Sequence, residues 1–219
     1  MRNMTRKILI YSGLLMILAA LSLCAYNVIK DKRAYNNSQV VMSELIQLIP
    51  ETTAAKTTEI PTNPADDLYA PYEENIDDSV NKMPAPVSID GREYCGYISL
   101  PALGLELPVI NDWSYDALNY SPCRFNGTAA GKDLIIAAHN YNSHFGLISK
   151  LNIGDDIIFT DTAGTVYSYK AEDIRVLDGS DSEGMFYGKA DEWDITLFTC
   201  TLSGQGRVVV RGSFKNGNK

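Results

Sequence analysis

Two histidines in 219 residues leave little from which to build a metal centre, and the four cysteines include no closely spaced Cys-x-x-Cys pair. A zinc site is excluded as a reading, and no cofactor is expected. Basic charge is scarce too: 19 Lys and Arg stand against 27 Asp and Glu, for a formal net charge of −8. Nucleic-acid partners, which need clustered cations to meet phosphate, are excluded with it. Internal repeats are missing, which removes solenoids and propellers. Between Glu51 and Pro86 apolar residues are sparse while Pro50, Pro61, Pro64, Pro71, Pro84 and Pro86 recur. So little burial cannot offset the entropy of ordering, and the stretch reads as a solvated tether. The scattered acids Asp155, Asp156 and Glu183 read as solvated turns, and no metal is expected at them.

One run lacks charge altogether. Ile8–Ile29 is long enough to cross a hydrocarbon core of about 30 Å as a helix. A cleaved signal peptide would have a shorter apolar region closed by a small-x-small site, which this run does not offer. A retained signal anchor is the expectation. Arg2, Arg6 and Lys7 precede it and Lys30, Lys32 and Arg33 follow it, so flanking charge does not settle orientation. Beyond it, Ala34–Pro50 is expected to be a short amphipathic helix with Val41, Leu45 and Leu48 on one stripe.

From Val87 onward the pattern changes to short extended segments separated by turns. Strands are expected at Cys95–Leu100, Leu105–Ile110, Asp133–Ala138, Asp156–Thr160 and Val166–Leu177, with helical turns at Trp113–Tyr120, Phe145–Leu151 and Ser182–Phe186. Such spacing predicts an all-β barrel or sandwich. The chain closes on Trp193–Phe214, two strands around a Ser203–Gly204 turn. In the first, Trp193, Ile195, Leu197 and Thr199 share one face and Asp194, Thr196, Phe198 and Cys200 the other. Antiparallel pairing then sets Cys200 opposite Arg207, with Cβ atoms roughly 4.5–5.5 Å apart. Arg211 lies on the same face but about 13 Å from Cys200 along the strand.

A thiol at a strand end beside a guanidinium is a reasonable nucleophilic site, although a free cysteine is also an ordinary core residue. His139 supplies the partner it would need. It follows the apolar strand DLIIAA and opens the loop HNYNSHFG, where a side chain can reach a cleft while the sheet holds it. His144 is the other histidine, five residues on. Since His139 precedes Cys200, the order is the reverse of that in papain-like peptidases.

Thr196-Leu197-Phe198-Thr199-Cys200 matches the TLxTC pattern of the sortase family of membrane-anchored cysteine transpeptidases. Arg207 on the next strand, followed by a β-branched run, agrees with that family. Ala138-His139-Asn140 resembles its His motif, with Ala138 where Gly is often found. The resemblance covers about Tyr94–Phe214. It implies a closed eight-stranded β-barrel with short helices, on a Gram-positive-type bacterium. Residues 1–33 would be cytoplasmic tail and transmembrane anchor, 34–86 juxtamembrane helix and tether, and 87–219 the catalytic domain. The chain would sit in the cell membrane as a single-pass protein with that domain outside.

The resemblance also implies chemistry: cleavage of an LPxTG-like sorting signal by Cys200 through a thioacyl-enzyme, with His139 as acid and base. Arg207 would hold the oxyanion or the substrate backbone. Its partners would be surface proteins bearing a C-terminal sorting signal and a peptidoglycan precursor or other amine acceptor. A hydrolase using the same trio and a silent barrel that only binds remain alternatives. At reference values near 8.5 for Cys and 6.5 for His, roughly 0.7% of molecules carry both charges at pH 7, equivalent to about 3 kcal/mol of barrier. Cys24 falls within the span. Cys95 and Cys123 are expected as buried thiols, with a disulfide as the alternative. Ala70-Pro71-Tyr72 in place of an Asp-Pro-aromatic lid, and the polar end Lys215–Lys219, point to protein anchoring rather than pilus assembly. The Asp178–Asp191 connection leans towards a class B-like enzyme.

Overall fold

The computed structural model describes residues 2–50, 53–54, 83–181, 184 and 193–215. Its first element is one helix, α1 (Arg2–Leu48). The span from Leu9 is long and apolar enough to cross a membrane. No break separates the apolar run from the expected amphipathic helix; Pro50, which cannot continue the hydrogen-bond ladder, stands just past the end. The distal half of α1 packs on the folded domain through Ala34, Ser38, Met42 and Leu45, while Leu48 stays exposed. Of the expected Val41–Leu45–Leu48 stripe, Val41 and Leu45 pack on the outer cluster and Leu48 does not. Ile49, four residues beyond Leu45, turns about 40° one way, and Leu48, three beyond, about 60° the other. The buried stripe follows Ile49, which packs against the same cluster as Leu45.

Among the described residues ten strands follow: β1 (Thr53–Ala54), β2 (Val87–Ile89), β3 (Arg92–Leu100), β4 (Leu105–Ile110), β5 (Cys123–Asn126), β6 (Leu134–Ala137), β7 (Asp156–Asp161), β8 (Thr165–Asp178), β9 (Ile195–Cys200) and β10 (Gly206–Phe214). Eight of them close a ring, β3-β4-β5-β6-β9-β10-β8-β7, with β7 bonded to both β3 and β8. The short strands β1 and β2 pair with β8 and β3. This is the closed eight-stranded barrel the sequence predicts. The expected helical turns near Trp113–Tyr120 and Phe145–Leu151 are single 3-10 turns, Ala117–Asn119 and Ile148–Lys150. The turn expected at Ser182–Phe186 and the tether, with Ala70-Pro71-Tyr72, lie almost wholly outside the described residues.

Closure splits the apolar side chains into two clusters. Inside the barrel Ile98, Leu107, Leu134, Ile136, Phe159, Tyr169, Leu197 and Val210 pack together, with Phe145 from the loop after β6. On the outer face Ile135, Ala137, Phe198 and Val209 join Tyr94, Ile110 and Cys123 under Leu45 of α1. Strands β6 and β9 are therefore covered on both sides, and β6 reads as a continuous apolar run for that reason. The bend in β3 needs Gly96: at φ 147° a Cβ there would stand 2.1 Å from the Thr160 carbonyl oxygen.

Candidate active site

Strands β9 and β10 are antiparallel neighbours, with Cys200 paired to Arg207. On the other side β6 runs parallel to β9, Ala137 level with Phe198. The ladder continues one step further, as the Ala138 N–H donates to the Phe198 carbonyl at 3.1 Å. His139 stands two residues past the end of β6, on the side of β9 where the ladder, carried on by one step, leads towards Cys200. Cys200 and Arg207, seven residues apart on one hairpin, and His139, from the loop after β6, thus belong to the same end of three adjacent strands. By alternation they fall on the face shared by Ala137, Phe198 and Val209.

Thr199 ties the two inner strands together at this end. Its buried hydroxyl donates to the Ala138 carbonyl at 2.8 Å, one residue before both His139 and Cys200. Cys200 is a half-buried free thiol. Arg207 spends Nη1 on the turn carbonyls of Gly204 and Gly206, at 3.1 and 3.0 Å. Its Nε and Nη2 have no hydrogen-bond partner among the described residues and remain available to an incoming oxygen. Arg211 is put to different use. It is buried, ion-paired to Asp173 at 3.4 Å and donates to the Gly184 carbonyl.

His139 is half-buried, its ring 5.1 Å from that of Tyr141. Burial pushes its pKa below the ordinary value, and the nearby Lys30 ammonium of α1 pushes it further the same way. His144 is fully buried, and neither ring nitrogen meets a partner at hydrogen-bond geometry, though the Tyr120 backbone is close enough to act on it electrostatically. Burial lowers its pKa to about 4, with His139 adding to the effect and Asp31 opposing it.

The remaining cysteines stay apart from this group. Cys95 belongs to the inner cluster and Cys123 to the outer one, both as free thiols, and burial raises each to about 12. At neutral pH both are protonated and poor nucleophiles. Of the acids read as turns, Asp155 accepts the Asn152 N–H at 2.8 Å and Asp156 pairs with Lys170 at 2.8 Å; Glu183 lies outside the described residues. Sequence reasoning did not assign a role at the site to Ser143 of the His139 loop, or to Lys30 and Asp31 of α1, which the fold brings beside that loop. Asp31 and Ser143 are 112 positions apart, and no local pattern links them.

The closed eight-stranded barrel, with the Cys200–Arg207 pair at the end of its β9–β10 hairpin, is the fold in which this site is set. The model of the Sortase domain matches residues 98–215, more than half the chain. The chain belongs to the sortase family and is a sortase-type transpeptidase. Among solved structures it is similar to sortase C1 from Streptococcus agalactiae, at 26% identity and a TM-score of 0.50, over 60% of this chain and 72% of that one. It is also similar to a Clostridium perfringens sortase D5 transpeptidase (25% identity, TM-score 0.49, 56% and 79% covered). A third is sortase C from Clostridium perfringens SM101 (23%, 0.49, 57% and 71%). A search of curated proteins finds no match.

Proposed function

We propose that this sortase cleaves an LPxTG-like sorting signal after its Thr and transfers the acyl group to an amine of the cell wall. Cys200 Sγ attacks the Thr carbonyl carbon; the C–N bond breaks and His139 gives its proton to the departing amine. The acceptor amine then attacks the thioester, His139 takes the proton, and the C–S bond breaks to release Cys200. Nε and Nη2 of Arg207 hold the oxyanion or the peptide backbone in both halves. The observation that carries this reading is the register: Arg207 paired with Cys200 on one side, and the β6–β9 ladder leading to His139 on the other. Residues 87–219 carry the chemistry, 34–86 join them to the membrane, and 1–33 hold the anchor. The catalytic domain faces outward, where surface proteins and wall precursors meet. No metal or cofactor takes part in these steps.

The test uses the full chain in detergent micelles or nanodiscs, with a sorting-signal peptide and a small amine, read by mass spectrometry. A peptide–amine product that disappears in Cys200→Ala is the expected result. Product that survives this substitution overturns the reading, and free carboxylate formed despite abundant amine marks a hydrolase instead.

A further inference from the structure

We propose that Asp31, in the first turn of α1 beyond its apolar run, is a positioning residue for His139, acting through Ser143. The inference rests on the reading of His139 as the acid–base group. The loop that carries it is closed upon itself: the Phe145 N–H donates to the His139 carbonyl at 3.3 Å, and the N–H groups of His144 and Gly146 donate to the Tyr141 carbonyl at 2.9 and 2.8 Å. These bonds fix its shape, while Phe145 plugs one side into the barrel core. What holds the other side is α1. Asp31 Oδ1 accepts the Ser143 N–H at 3.0 Å and the Ser143 hydroxyl as well. Both bonds end on a carboxylate, which makes them stronger than neutral ones, and Ser143 is only 7% exposed.

The contact reaches the imidazole through a chain of tilted ring contacts. His144, next to Ser143, lies 5.5 Å from Tyr141, and Tyr141 lies 5.1 Å from His139. Among the described residues neither His144 nitrogen meets a partner at strict hydrogen-bond geometry, so burial in its packing, with the Tyr120 backbone close by, holds that ring. Loss of the Asp31–Ser143 link frees the loop on its α1 side and lets His139 tilt from the Cys200 strand end. The ionisable groups that act on or touch His139 are Lys30 on α1 and Tyr141 and His144 on its own loop, while Asp31 acts on His144; Cys200 on β9 and Arg207 on β10 lie at the neighbouring strand ends.

The test compares wild type, Asp31→Ala and Asp31→Asn as full chains in micelles, by transpeptidation kinetics across pH and by NMR titration of labelled imidazoles. With two histidines in the chain, His144→Leu assigns both signals. Asp31→Ala is expected to lower kcat about tenfold or more with KM within about twofold. Its His139 titration moves upward, because a loosened loop admits water to the ring. Asp31→Asn keeps an oxygen for the Ser143 N–H and restores kcat to within about threefold of wild type. Should Asp31→Ala fail to fold, Ser143→Ala is read by the same two measurements. An unmoved His139 titration, or a kcat reduced by one factor at every pH, overturns the proposal and leaves Asp31 a plain structural contact. Wild type that transfers nothing overturns the proposed function instead, while the titration still decides whether Asp31 positions the ring.

Discussion

At the scale of single residues the site depends on how two strand ends are held. The Thr199 side chain bonds the strand of Cys200 to the backbone before His139. Replacing it with Val keeps the shape and removes the donor, leaving the buried Ala138 carbonyl one partner short. The expected cost is about 1–2 kcal/mol of stability in chemical unfolding, with a fall in kcat larger than the fall in folded protein. Equal losses would make Thr199 structural only. Lys30 supplies a second prediction. Its ammonium opposes protonation of His139, so Lys30→Gln should move the acidic limb of the kcat/KM profile to higher pH, and added salt should shrink the difference. A limb that stays in place would remove Lys30 from the electrostatics of the site. The Cys200–Arg207 pairing was legible in the sequence because strand alternation and a Ser-Gly turn fix hairpin register. The Lys30 effect was not: it depends on where a helix more than a hundred residues upstream comes to rest.

At the scale of elements, strands with strong apolar alternation were legible and weak ones were not. Leu105–Ile110 was read with its observed bounds, whereas Cys123–Asn126, four residues of mixed character with a half-exposed Arg124 and Phe125, gave no periodic signal. It exists because β4 and β6 flank it, which is a tertiary cause. The helix shows the same limit. Its existence followed from apolar length, but the face it buries is chosen by the barrel. Leu45, fully buried against the outer cluster, is the centre of that docking. Leu45→Ala should cost about 2–4 kcal/mol of the helix–barrel contact. Hydrogen exchange along Ala34–Leu48 should rise while exchange in β9 and β10 is unchanged. Uniform loss of protection would show that helix and barrel unfold as one unit.

At the scale of the whole molecule, the apolar run of α1 matches a bilayer core and the helix then leans on the barrel. With the run in a membrane, the Asp31–Ser143 contact keeps the His139 loop within about one helical turn of the bilayer surface. The same junction encloses His144, and this couples stability to pH. Its folded pKa, about 4, lies below the unfolded value near 6.5. Between those values the unfolded chain binds the extra proton, so stability falls as pH falls through that window and is complete above it. A shift of that size corresponds to about 3 kcal/mol when fully expressed, a large part of the 5–15 kcal/mol typical of a folded domain. His139, lowered in the same direction, adds to the slope. The carboxylates of Asp156 and Asp178 are exposed and depressed, so they lose their contribution only at more acid pH. Chemical unfolding of the full chain in micelles at pH 7.5 and 4.5 should therefore show a loss of about 3 kcal/mol. His144→Leu, which fills the site without a titrating group, should cut that loss to the share of His139 and the carboxylates. Parallel curves for wild type and variant would mean that water reaches His144 in the folded protein, and that the α1 junction is looser than its hydrogen bonds imply.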